Sequence, residues 1–134
     1  MDYKSYTIGG ETTESFHETL EAIVNELEDE GFVVLCDIDV KDTFARKLDE
    51  DFRRYRILGA CNPNLAYDAL ETELQLGALL QWNVIVCETD NGMIGVDAVD
   101  PSQLLDTAGN DELGDIAEEV EERFENVISE VTGE

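Results

Sequence analysis

The chain has 134 residues, 43% of them apolar, which suits one domain built around one core. No run approaches the roughly 18–20 apolar residues of a membrane span. Met1-Asp2-Tyr3-Lys4 lacks the basic-then-apolar pattern of a signal peptide, so a cytoplasmic location and no membrane partner are expected.

Charge is the strongest compositional signal. Thirty-three Asp and Glu against eight Lys and Arg give a formal net charge of −25. Nucleic acid is not expected as a partner, because phosphate contacts need a basic footprint. The acids are spread along the whole chain and lysines number only three, which points to a halophilic protein of a salt-rich cytoplasm. Screening there shrinks to about 3 Å at 1 M salt, so an acidic surface stays solvated without strong self-repulsion. The basic residues are clustered instead. Lys41, Arg46, Lys47, Arg53, Arg54 and Arg56 lie in one stretch, and none follows between Ile57 and Glu122. That stretch is either counter-charge for acidic neighbours or a patch for a small anionic ligand. Cys36, Cys61 and Cys87 are odd in number, widely spaced and free of any C-x-x-C, so no disulfide framework is implied.

In chain order, Asp2 to Ile8 reads as a strand ended by Gly9-Gly10. A helix from about Thr13 to Glu30 follows, capped by Thr12 or Thr13, with Phe16, Leu20, Ile23, Val24 and Leu27 on one stripe and Gly31 closing it. His17 stands beside that stripe with no Cys or second His spaced to join it, so no metal site is expected. Phe32 to Ile38 reads as a strand apolar enough to be central. A short helix spans Asp39 to Leu48, with Phe44, Ala45 and Leu48 on its apolar side, and Phe52 to Gly59 is a third strand.

Asn62 then offers a helix N-cap and Pro63 a first helical residue, so a helix is expected from Pro63 to about Glu73. Leu74 to Leu80 continues the apolar run past Gly77. Asn83–Thr89 and Met93–Val99 form the clearest hairpin, with Asn91-Gly92 as a two-residue type I′ loop and the first strand internal. Asp100-Pro101 repeats the cap-then-proline device. The last helix runs from about Asp111 to Val131 with a seam of Leu113, Ile116, Ala117, Val120, Phe124, Val127, Ile128 and Val131. The order β-α-β-α-β-α-β-β-α, with a hairpin as its surest strand pair, predicts a two-layer α+β domain with a largely antiparallel sheet.

The stretch most like a site is Ile57 to Pro63. It is a strand-to-helix corner with Cys61 one position before the cap, where unpaired helix N–H groups can lower a thiol pKa. The candidate ligand-binding residues are Arg53, Arg54, Arg56, Cys61 and Asn62. Cys61 is the one candidate nucleophile, beside the plainer reading of a buried cysteine that fits a tight corner. No Ser–His–Asp set, P-loop or G-x-G-x-x-G is present, and no cofactor is expected.

Tyr55-Arg56-Ile57-Leu58-Gly59-Ala60-Cys61-Asn62-Pro63, with Leu65-Ala66 and Ala69-Leu70 after it, resembles the domain-of-unknown-function 302 (DUF302) family. Gly31-Phe32, Leu79-Leu80 before Asn83-Val84, and Asp100-Pro101 match its landmarks in order, so the chain resembles the family over residues 1 to about 130, as an acidic member of haloarchaeal type. The resemblance implies a small α+β homodimer, with a link to sulfur or redox metabolism in some relatives. It also implies a second cysteine just before Asn83, where this chain has Gln81-Trp82. Two functions are therefore carried forward. One is a non-enzymatic, homodimeric ligand-binding or interaction module with its site near Cys61. The other is a thiol-dependent sulfur-transfer or redox accessory protein.

Overall fold

The structure is a computed structural model that describes residues 5–133. Its elements run β1 (Thr7–Thr12), α1 (Phe16–Asp29), β2 (Val33–Asp39), α2 (Val40–Leu48), β3 (Tyr55–Cys61) and α3 (Pro63–Thr72). A 3-10 turn (Leu74–Ala78), β4 (Trp82–Glu88), β5 (Ile94–Val99), α4 (Pro101–Asp106), a second 3-10 turn (Asp111–Leu113) and α5 (Gly114–Thr132) complete the chain. The strands form one sheet in the order β1-β5-β4-β3-β2, antiparallel at every junction. The expected α+β class with an antiparallel sheet is what the chain adopts.

Residues directly opposite in an antiparallel ladder share a face, so the register sorts every strand residue. Leu58, Val84 and Ala98 line up on one face, and Val86 and Val96 stand beside them. All five are buried, under Ile23 and Leu27 of α1 and Val120, Phe124, Val127 and Ile128 of α5. Phe124 stacks on Phe32 with ring centroids 4.9 Å apart. The seam read from α5's sequence is thus the lid of the core. The other face carries Ile57, Ile85 and Val99, each half-buried, and no helix layer among the described residues covers it.

Several elements depart from expectation for physical reasons. β1 begins at Thr7 and includes Gly9 and Gly10 rather than ending at them; residues 2–4 of the expected strand lie outside the described residues. The Asp97 side chain lies over Gly9, where a Cβ would collide with it, and Thr132 packs closely over Gly10. Thr12 is consumed by the β1–β5 ladder, so Ser15 caps α1 instead, accepting from Glu18 N. β2 is an edge strand, not a central one, with Val33, Leu35 and Ile38 all exposed. Leu48 is exposed as well, and Asp49 ends α2 in the left-handed region at φ 53°. Phe52 precedes β3 and packs edge-on against Phe44 at 5.2 Å. The β4–β5 loop holds three residues, Asp90, Asn91 and Gly92. Thr89 N bonds Met93 O, Gly92 N bonds Thr89 O, and only Gly92 has a positive φ, at 80°. That is a type I turn followed by a bulge glycine, not a type I′ turn, which needs positive φ at both central residues. β4 is internal, as expected.

Candidate functional site

All five candidate ligand residues lie on β3 or its flanks, but the strand separates them. Arg56 and Cys61 are five residues apart, about 17 Å at the rise of an extended strand. An odd interval also puts them on opposite faces: Arg56 on the helix side with Val86, Cys61 on the uncovered side with Ile57 and Gly59. The arginines and the thiol do not form one site.

At the cysteine end, Asn62 is 95% buried and its side chain caps α3, accepting from Leu65 N at 3.2 Å, so its polar atom is committed to the helix. Cys61 is half-buried, and Sγ has no hydrogen-bond partner among the described residues. Burial pushes its thiol pKa up, away from the thiolate that nucleophilic or redox chemistry requires. The helix-N-terminus position alone does not activate it. Position 82, where the resemblance implies a second cysteine, is a buried tryptophan opposite Ala60 and so faces the helix side, away from Cys61.

At the basic end, Phe16, His17 and Leu20 of α1 meet Asp39, Lys41, Arg54, Tyr55 and Arg56 around a groove of about 270 Å³. Arg56 Nη1 bonds Asp37 Oδ2 at 2.8 Å, and its Nε lies 3.4 Å from Asp39 Oδ2. Lys41 Nζ donates to Asp51 Oδ1 at 2.9 Å and to Phe52 O at 2.6 Å, and it holds the Asp51 carboxyl below the usual carboxylate range. His17 is exposed, 3.5 Å from Glu21. Arg54 is different. Its backbone is fixed, with N donating to Glu88 Oε1 and O accepting from Glu88 N. Its guanidinium is exposed and has no acidic partner among the described residues. Arg53 points elsewhere, donating to Glu88 O and Asp90 Oδ1 and so clipping the β4–β5 loop beside Cys87.

Sequence reading found the arginines and put Lys41 in the same basic stretch, but missed Asp39, Tyr55 and the start of α1 as their surroundings. The pairing Asp39↔Arg56 brings β2's end and α2's start to the groove. Pairing register is a long-range property with no local sequence mark.

A family model described as "Domain of unknown function DUF302" matches residues 9–131. The chain belongs to the DUF302 family. Its fold is similar to the crystal structure of an uncharacterized conserved DUF302 protein from Bacillus stearothermophilus, at 24% identity and a TM-score of 0.87. That likeness covers 94% of this chain and 98% of the other. No curated protein matches the chain. The antiparallel sheet with its helices is therefore the DUF302 fold, and the two ends of β3 are positions within it.

Proposed function

We propose that this DUF302 protein is a non-enzymatic, homodimeric module that binds a small anionic ligand in the groove at the start of β3. The observation that carries the reading is the Arg54 guanidinium, a cation with no acidic partner among the described residues, in a chain with about four times as many acids as bases. Lys41 and Arg56 stand beside it with their charges already met, and Phe16, Leu20 and Tyr55 supply apolar wall. A positioned arginine suits a carboxylate or phosphate group, which it can grip through two parallel N–H donors. The site proposed is therefore Arg54 with Arg56 and Lys41, and it leaves out Cys61 and Asn62. A thiol-dependent sulfur-transfer or redox role for Cys61 is the weaker proposal, since burial works against its thiolate.

The test is calorimetric titration with inorganic phosphate in molar KCl, with amide chemical shifts to locate the response. Binding that is lost in Arg54→Gln and kept in Cys61→Ser supports the reading. Binding that survives Arg54→Gln, or no binding at millimolar phosphate, overturns it. We also propose that the −25 charge reflects a salt-rich cytoplasm; the melting temperature then rises steadily between 0.1 and 3 M KCl.

A further inference from the structure

We infer that the groove takes an aliphatic monocarboxylate, its single carboxylate gripped by Arg54 and its hydrocarbon chain laid along α1 over Leu20 and Val24. This rests on the anion-binding reading above and adds the class of ligand.

The apolar stripe of α1 divides in two. Ile23 and Leu27 are sealed in the core, whereas Phe16, Leu20 and Val24 pack on its edge and keep part of their surface. Positions four apart lie one above another on a helix, so these three form a line, roughly 12 Å long at the helical rise. The line leads out of the groove. A second hollow of about 380 Å³ adjoins the first, shares His17 and Leu20 with it and continues to Val24. The acids at its rim are already engaged: Asp37 holds Arg56, and Glu21 lies 3.5 Å from His17. What is left for a ligand to cover there is the aliphatic surface of Leu20 and Val24, and an apolar wall beside one placed polar group is how small-molecule sites are built.

Charge sets the head group. Lys41 is paired with Asp51, and Arg56 with Asp37 and Asp39. Arg54 thus leaves the groove one positive charge with no acidic partner among the described residues. One carboxylate matches it, accepting two parallel N–H bonds. A doubly charged head, such as phosphate near neutral pH, brings a further negative charge beside Asp39 in a chain of net charge −25. Phosphate therefore meets the same arginine more weakly than a carboxylate that carries a chain.

Calorimetric titration of the full chain with potassium acetate, octanoate and phosphate, in molar KCl near pH 7, tests the inference. Octanoate is expected to bind about tenfold or more tighter than acetate or phosphate, since each methylene removed from water adds affinity. It should also shift the methyl resonances of Leu20 and Val24, which acetate leaves in place. Arg54→Gln should weaken octanoate about tenfold or more. Val24→Thr, which keeps the side-chain shape at a half-exposed position, should weaken octanoate and leave acetate unchanged. Acetate and octanoate that bind alike, both dependent on Arg54, overturn the chain site while the anion reading stands. Octanoate held as tightly by Arg54→Gln, or no binding of any of the three, overturns both.

Discussion

The two faces of one sheet are built from the same five strands and live in different environments. On the helix side, Val84, Val86, Val96 and Phe124 are almost wholly removed from water, and apolar surface buried there stabilises the chain by itself. On the other side, Ile57, Ile85 and Val99 keep part of their surface, and the Asp97 carboxyl group is buried among them. The difference shows that alternation along a strand reports which residues share a side. It does not report whether that side is covered by the same chain.

Four substitutions measure the contrast. The largest effect is expected from Phe124→Ala, which removes the ring stacked on Phe32 and should cost about 3–5 kcal/mol in denaturant unfolding. Ile85→Ala, on the half-exposed side, should cost less than about 1 kcal/mol; equal losses at the two positions would erase the distinction between faces. Gly9→Ala shows that the uncovered face is nevertheless packed. A Cβ there would stand 1.7 Å from Asp97 Oδ1 and 2.7 Å from Val96 O, so a loss of about 1–3 kcal/mol is expected. The smallest effect is a slope. Burial raises the Asp97 pKa, and a hydrogen bond with Thr7 only partly offsets this. The folded chain therefore holds a proton that the unfolded chain releases near pH 4. Stability from this group is fullest at low pH and is lost as pH rises through the folded-state pKa. Asp97→Asn removes that loss, so its advantage over wild type in thermal melts should grow from pH 4 to pH 7. A constant difference would mean that Asp97 titrates normally.

The sequence showed the elements well where one period dominates. The seams of α1 and α5, the cap-then-proline starts of α3 and α4, and the hairpin pair are all present. The misreadings share a cause, which is information held by distant partners. Gly9-Gly10 looks like a strand end until Asp97 and Thr132 are placed over it. Val33-Val34-Leu35 looks central until the strand order puts β2 at the edge. Arg54, Arg56 and Cys61 look like neighbours because they are close in number, whereas an extended strand is the conformation that separates near residues most. Arg54 became distinct only when the other cations of the groove were seen paired with Asp37, Asp39 and Asp51.

The edge position of β2 has a consequence for how this chain behaves at high concentration. An apolar strand with one unpaired ladder side is a template on which further strands can add, and Val33, Leu35 and Ile38 are all at the surface there. Two features interrupt that template: the register shift between Val34 and Cys36, which bends the strand, and the acids Asp37 and Asp39, which are held in place by Arg56. The ion pairs that occupy Arg56 thus also guard the sheet against growing into fibres.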